Sequence, residues 1–162
     1  MASSSVSTSS HTSQGARIVR VMRSNEQASA SSFVTLAGRI LFSVIFVMAG
    51  LFHFSSQEIA YAANAGVPIA GFLVPASGVI AMLGGLSILL GYRAKIGAWL
   101  VVFFLVPVTF MMHNFWAMKD AMMAQMQMAM FMKNVTIIGG ALLISQFGAG
   151  PLSLDARRNS TR

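Results

Sequence analysis

Two long apolar runs joined by a short basic turn occupy the middle of the chain. Residues 69–112 read IAGFLVPASGVIAMLGGLSILLGYRAKIGAWLVVFFLVPVTFMM. A helix needs about 20 predominantly apolar residues to cross the hydrocarbon core of a bilayer. The stretch therefore predicts one transmembrane helix over about 69–91 and another over about 96–112, with Arg93 and Lys95 in the turn between them.

Similar apolar runs lie on both sides of this stretch, over about 34–54 and about 128–147. An open sheet cannot satisfy its backbone hydrogen bonds in lipid, and the runs lack the alternating pattern of a membrane barrel. We therefore expect an all-α protein, an integral membrane four-helix bundle that occupies residues 33–148.

The composition agrees with a chain that lies mostly in lipid. Only 9% of the residues are charged and 56% are hydrophobic, whereas about a quarter of a soluble domain is charged. The four Asp and Glu residues are too few for a multi-carboxylate metal cage and argue against a hydrolase. The absence of cysteine excludes disulfides, thiolate zinc sites and Cys-ligated iron–sulfur clusters in this chain.

Polar, serine-rich sequence precedes the first apolar run. Residues 1–32 carry three arginines, a single glutamate and no sustained apolar period, which predicts a disordered cytoplasmic tail. A Ser-rich, Arg-bearing and acid-poor leader is also typical of a transit peptide, the less favoured interpretation. Residues 149–162 are expected to form a second, basic cytoplasmic tail.

The distribution of Lys and Arg predicts the orientation. Nine of the eleven lie in the two tails, at the start of the first helix or in the loop after the second helix, and only Lys119 and Lys133 lie on the other side. Because cytoplasmic loops retain Lys and Arg, we expect both termini in the cytoplasm and the loops 55–68 and 113–127 outside. The basic residues are spread over tails and loops, so they do not support nucleic-acid binding.

Residue spacing predicts which helix faces meet. Residues at spacings of three and four share one face of a helix, and the first run carries such a stripe in Arg39, Ser43, Phe46, Gly50 and His53. Close backbone approach in lipid favours small residues. Packing seams are therefore expected at Ser77, Ala81, Gly84 and Gly85 in the second run and at Gly139, Gly140 and Ala141 in the fourth.

Most polar residues outside the tails converge on the outer end of the bundle. His53 ends the first predicted helix and His113 ends the third, and the nearby candidates for binding a cofactor are Asn114, Trp116, Lys133 and Asn134. An apolar cavity rimmed by such groups suits the head of a quinone, whose carbonyl oxygens need hydrogen-bond donors. The alternative interpretation is an ordinary interfacial belt, which Trp favours.

Arg39 is a further candidate because a charged residue within a membrane span is costly. Its side chain either reaches outward to phosphate headgroups near the cytoplasmic leaflet or pairs inside the bundle with a carboxylate or with an anionic group of a cofactor. Catalytic residues cannot be assigned, since the chain has no Walker, HExxH or GxSxG motif.

Haem and copper are less favoured cofactors. The two histidines share a depth and so could ligate a haem iron, but no spacing motif supports this. Soft methionine sulfur suits Cu(I), and seven methionines lie between 118 and 132. Their spacing scatters them around a helix, so we interpret them as residues that fill apolar gaps.

Several short motifs together resemble the DoxX family of small four-helix bacterial inner-membrane proteins. Over about 36–155 these motifs are Gly38-Arg39, Ala49-Gly50 with His53, Gly66-Val67-Pro68, Gly84-Gly85 with Leu89-Leu90-Gly91, His113-Asn114-Phe115-Trp116, Phe131-Met132-Lys133-Asn134, Gly139-Gly140, and Gly148-Ala149-Gly150 with Ser153-Leu154-Asp155. One departure is Ala81, where relatives carry a Glu before the glycine pair.

The resemblance implies a bacterial inner-membrane protein that is a quinone-linked subunit of a membrane oxidoreductase system and needs a redox partner protein. It also leaves open a non-enzymatic scaffold that gathers soluble redox-defence enzymes. Transport of a small solute is less favoured, because four short helices would have to form a homo-oligomer to enclose a pathway.

Overall fold

The computed structural model describes the backbone of residues 8–160 and the side chains of residue 17 and residues 19–160. Within this part the chain forms six α-helices, one 3₁₀ helix and no strand. The α-helices are α1 (Thr8–Phe52), α2 (Ser56–Asn64), α3 (Ala70–Leu90), α4 (Ala94–Met112), α5 (Ala121–Phe147) and α6 (Leu154–Ser160), and the 3₁₀ helix is Phe115–Ala117.

Four of these helices, α1, α3, α4 and α5, are long and apolar enough to cross a membrane. The 21 residues of α3 span about 31 Å at 1.5 Å per residue, which matches a hydrocarbon core of about 30 Å. The prediction of an all-α integral membrane protein is confirmed.

Helix α1 is much longer than predicted. It begins at Thr8 and runs for 45 residues, so the segment expected to be disordered is helical from Thr8 onward, and residues 1–7 of that segment lie outside the described residues. Elongating an existing helix avoids the unfavourable nucleation step. Residues 16–37 contain neither Gly nor Pro, so nothing in them stops the membrane-spanning helix from continuing toward the N-terminus.

Two other boundaries also differ from the predicted ones because of helix caps. The predicted outer loop 55–68 contains α2, whose first turn is capped by the Ser55 hydroxyl, which accepts a hydrogen bond from Glu58 N at 3.2 Å. Helix α5 begins at Ala121, seven residues before the predicted start at about 128, and the Asp120 carboxylate accepts from Met123 N at 2.8 Å. A side-chain oxygen at such a position satisfies a backbone N–H that has no partner within the helix.

Helix α3 lies between two neighbours. It packs along α1 on one side and along α4 on the other, and α5 packs on α4. The stripe predicted on α1 faces the bundle as expected, since Arg39, Ser43 and Phe46 are 7%, 0% and 2% exposed. The main apolar core includes Phe46, Ala81, Ile88, Val101 and Phe104 together with Ala141 of α5.

Glycines allow the backbones of α1, α3 and α4 to approach closely. A Cβ atom added at Gly78 would lie 2.5 Å from the Cβ of His53, and one added at Gly84 would lie 3.0 Å from the carbonyl oxygen of Gly97. The predicted seam on α3 is therefore a contact surface. Gly139 differs from the prediction, because an added Cβ there would have nothing within 4 Å, although Gly140 lies against Phe42.

The two ends of the bundle of membrane-spanning helices differ in the residues that they carry. The basic end contains Arg39, the α3–α4 turn with Arg93 and Lys95, and helix α6. The histidine end contains His53, His113 and helix α2. These two names are used below.

Gly78→Ala is expected to lower the free energy of unfolding by about 1–3 kcal/mol, the usual cost of overpacking, because the new methyl group would collide with His53. The matched control is Gly139→Ala, which meets open space and should leave stability unchanged or raise it by up to about 1 kcal/mol through helix propensity. Circular dichroism during SDS unfolding in mixed micelles measures both. Equal effects would contradict the close α1–α3 approach.

The charge distribution predicts that a cysteine at residue 119 is accessible from outside and a cysteine at residue 160 is not. The chain has no cysteine, so the Lys119→Cys and Ser160→Cys variants each carry a single thiol. A membrane-impermeant maleimide added to intact spheroplasts should label the first variant and spare the second until the membrane is permeabilised. The reverse labelling pattern would refute the predicted orientation.

Candidate functional site

A cavity of about 330 Å³ lies between α3 and α4 at the histidine end, with α2 beside its mouth. This volume falls within the range of about 300–1,000 Å³ that is usual for ligand sites. Most of its wall is apolar, and the lining residues are His53, Glu58, Tyr61, Ala62, Val67, Leu73, Val74, Ala76, Ser77, Ile80, Phe103, Phe104, Pro107, Val108, Met111, Met112 and His113.

The cavity follows from the way in which α3 and α4 pack. Near the basic end the two helices are in backbone contact, since a Cβ added at Gly97 would lie 2.9 Å from Gly84 O. Toward the histidine end the facing positions carry larger side chains, such as Leu73, Phe104 and Met111. These side chains line the space between the two helices without filling it.

Helix α2 forms the cover of this space. Its Ala62 is buried in a small apolar cluster with Ala70 and Val74 of α3, and Met112 of α4 packs against the same cluster. Glu58 and Tyr61 on α2 line the mouth of the cavity. The helix thus positions one carboxylate and one phenol beside an apolar space.

The two histidines both line the cavity, and each uses one ring nitrogen for a contact within the protein. His53 Nδ1 lies 2.6 Å from Ala49 O, and His113 Nδ1 lies 2.8 Å from Gln127 Oε1. The Ala49 carbonyl oxygen can only accept, so His53 Nδ1 donates to it, and Nε2 is the ring nitrogen of His53 that can contact a ligand. The His53 ring also packs edge-on against Phe104, with centroids 5.5 Å apart.

The polar groups of the lining include both acceptors and a donor. Glu58 contributes a carboxylate, His53 contributes Nε2, Tyr61 contributes a phenol O–H, and the Ser77 hydroxyl donates its proton to Val74 O at 2.8 Å. A quinone carbonyl oxygen is itself an acceptor, so it would require a donor such as the Tyr61 O–H. Quinone binding stays a prediction from sequence alone.

Four of the predicted site residues lie away from the cavity lining: Asn114, Trp116, Lys133 and Asn134. Trp116 is 58% exposed and belongs to a cluster of four rings with Phe110, Phe115 and Phe131. Lys133 is exposed and donates to Met130 Sδ at 3.4 Å, whereas Asn134 is buried. The sequence prediction grouped these residues with the histidines because they lie near helix ends, but such positions do not specify on which side of α4 a residue lies.

Arg39 is far from the cavity and is buried inside the bundle, where its charge interacts with the carboxylate of Asp155. It lies 14 residues before His53 on α1, about 21 Å along the helix axis. Its guanidinium donates to Leu89 O at 3.2 Å, Ala149 O at 2.8 Å and Leu152 O at 2.8 Å. Arg39 therefore neither reaches headgroups nor faces the cavity, because three backbone carbonyls at the basic end surround it.

Asp155 completes this polar cluster. Its carboxylate accepts from Arg93 N at 2.8 Å and from Ala94 N at 3.0 Å, and its own N–H donates to Gly91 O at 2.8 Å. Arg93 has a left-handed backbone, with φ of 49°, so the turn between α3 and α4 is held from outside by Asp155. We call Arg39, Asp155 and the backbone groups that they bond the basic-end clamp.

Sequence reasoning did not select Glu58, Tyr61 or Gln127 as candidate binding residues. The signal for α2 was the pattern Ser55-x-x-Glu58, which is typical of a helix N-terminus. Gln127 is the buried polar residue of a methionine-rich run, and buried polar groups require hydrogen-bond partners. Among the described side chains, no group of three or more His, Asp or Glu residues could hold a metal ion.

Four membrane-spanning helices, with an apolar cavity between two of them, define a multi-pass, all-α integral membrane protein. Residues 5–160 match the model of the SURF4 family. The chain belongs to the SURF4 family.

Three curated relatives match the chain. It is 33% identical over 128 residues to the inner membrane protein YqjF of Escherichia coli K12, which covers 76% of the chain and 91% of that protein. It is 26% identical over 141 residues to the inner membrane protein YphA of the same strain, covering 86% and 100%. It is also 26% identical over 129 residues to the ER-derived vesicles protein ERV29 of Saccharomyces cerevisiae, which covers 80% of the chain but only 35% of that protein. No solved structure matches.

These matches correct the family predicted from the motifs. The chain is a SURF4-family protein, so the identification with the DoxX family is wrong. The function drawn from it, a quinone-linked oxidoreductase subunit, is also wrong, since ERV29 points to vesicles and not to a redox complex. The quoted motifs misled because packing glycines, an interfacial Trp and a basic residue at a helix end are common needs of small membrane bundles.

Arg39→Met is expected to loosen residues 149–155, because Ala149 O and Leu152 O would lose their guanidinium donor. A hydrogen bond to a charged group contributes about 1.5–3 kcal/mol, so amide exchange at Asp155 should become at least about tenfold faster. Hydrogen–deuterium exchange with mass spectrometry measures this in detergent micelles. Arg23→Met, which removes an exposed arginine of α1, is the control, and unchanged exchange in Arg39→Met would contradict the clamp.

Proposed function

We propose that this chain is a membrane-embedded binding protein for cargo polypeptides, which receives an apolar segment of its client in the cavity at the histidine end. The observation that carries the proposal is the cavity itself, with an apolar wall between α3 and α4 and acceptors at its mouth. Burial of apolar side chains supplies affinity, at about 25 cal/mol per Å² of apolar surface removed from water.

The polarity of the mouth supports a polypeptide as the ligand. An extended peptide segment presents one backbone N–H donor at every residue except proline, and unpaired donors are costly to bury. Glu58 and Nε2 of His53 can accept from such donors. In this proposal the apolar side chains of the client enter between α3 and α4, while its backbone pairs at the mouth.

The neighbouring residues have supporting roles. Gln127 of α5 fixes the His113 ring through the 2.8 Å contact with Nδ1, and the Ala49 carbonyl fixes His53. Trp116 and its ring cluster lie outside the cavity, where aromatic residues anchor a bundle in the membrane interface. Binding of this kind needs no catalytic group.

The relatives support a cargo-related role and a bacterial inner-membrane location for this chain. ERV29 is an ER-derived vesicles protein, and a membrane protein of vesicles is well placed to handle cargo. YqjF and YphA are inner membrane proteins of a bacterium, which supports a bacterial inner-membrane location for this chain. With the orientation predicted from its charges, the cavity opens outward, so the clients would be exported polypeptides.

Photo-crosslinking from inside the cavity tests the proposal. With p-benzoyl-phenylalanine in place of Met111, which lines the cavity, ultraviolet light should attach apolar segments of exported polypeptides, identified by mass spectrometry. The same photoreactive residue in place of Leu143, an exposed residue of α5, should attach phospholipid alone. Absence of polypeptide adducts at residue 111, or equal polypeptide adducts at both positions, would refute a polypeptide client in the cavity.

A second variant tests whether the adducts depend on the cavity. Ala76→Leu should reduce crosslinking from residue 111 by at least about fivefold, because the added side chain occupies part of the cavity that Ala76 lines. Ala129→Leu adds the same atoms at an exposed position of α5 and should leave the yield unchanged. Equal yields from Ala76→Leu and Ala129→Leu would place the client elsewhere.

A further inference from the structure

A second cavity, of about 530 Å³, lies at the basic end and is separate from the proposed client site. Its lining includes Arg93, Lys95, Ile96, Phe147, Asp155 and Asn159. We call it the basic basin.

Contacts within the protein position the cationic groups of the basic basin. Lys95 Nζ donates to Gln146 O at 2.8 Å, which fixes its position and uses one of its three donors. The Arg93 guanidinium lies 6.0 Å from the ring centroid of Tyr92, a cation–π contact that helps to orient this side chain.

The single acidic residue in the lining does not cancel this charge. Both oxygens of the Asp155 carboxylate are engaged by the backbone N–H groups of Arg93 and Ala94, at 2.8 Å and 3.0 Å. Arg93 and Lys95 together outnumber it, and Arg157 and Arg158 follow on α6. The basin therefore presents a positive surface next to the start of α4.

Apolar side chains beside these cations indicate which kind of anion fits. Ile96 is 53% exposed and Phe147 is 79% exposed, and both line the basin at the ends of membrane-spanning helices. An inorganic anion gains nothing from such surfaces, whereas a lipid buries acyl chains against them. Basic pockets between membrane helices also bind anionic headgroups in other proteins.

We propose that the basic basin binds one anionic phospholipid, with its phosphodiester headgroup at Arg93 and Lys95 and its acyl chains along Ile96 and Phe147. The lipid would bridge the α3–α4 turn and the α5–α6 connection, which the basic-end clamp already joins. This site does not depend on the client site, since the two lie at opposite ends of the bundle.

Titration of the full chain in detergent with phosphatidylglycerol, monitored by native mass spectrometry, tests the proposal. One tightly bound lipid is expected, with phosphatidylcholine bound at least about tenfold more weakly and inorganic phosphate unable to displace the lipid. Lys95→Gln and Arg93→Gln should each weaken binding about fivefold, which corresponds to about 1 kcal/mol per basic residue near an anionic surface. Lys95→Arg and Arg93→Lys keep the charge and should retain binding.

Two controls separate the basin from general attraction to positive charge. Arg20→Gln removes an exposed charge from α1, outside the basin, and Lys119→Gln removes one from the opposite end of the bundle. Both should leave the affinity unchanged. The proposal is overturned if Arg20→Gln weakens binding as much as Lys95→Gln, if phosphatidylcholine binds equally well, or if inorganic phosphate competes as a free anion.

Discussion

Close backbone contact at glycines is the constraint on which the rest of this structure depends. In lipid there is no hydrophobic force between helices, so they associate through van der Waals packing at short range. Helix α3 achieves this on two sides, at Gly78 and Gly85 toward α1 and at Gly84 toward α4. The α3–α4 backbone contact ends before the bulky positions near Leu73 and Met111 begin. The same two helices that are in contact near the basic end therefore leave a cavity at the histidine end.

The sequence was sufficient to predict the membrane-spanning helices and the buried face of α1, because both follow from local apolar period and from the length needed to cross a bilayer. It did not reveal α2 or the early start of α5, since both depend on single capping residues, Ser55 and Asp120. Of the candidate site residues, His53 and His113 line one cavity, whereas Trp116 and Lys133 lie outside the lining.

Family and function were harder to predict because the local sequence patterns are not specific to one family. A four-helix bundle of this size uses glycines, interfacial aromatics and end-capping charges to meet physical needs that many membrane families share. Arg39 illustrates this point, since a residue that suggested a cofactor is bonded to the carbonyls of Leu89, Ala149 and Leu152. Only comparison over most of the chain distinguished the SURF4 family from others with the same local patterns.

The basic-end clamp also affects the order in which parts of the protein fold during synthesis. Residues 149–155 follow all four membrane-spanning helices during synthesis, yet they supply two of the three carbonyl partners of Arg39 and the carboxylate that binds the start of α4. The guanidinium of the first span therefore has its full set of partners only after residue 152 has been synthesised. Closure of the basic end thus follows the synthesis of all four membrane-spanning helices.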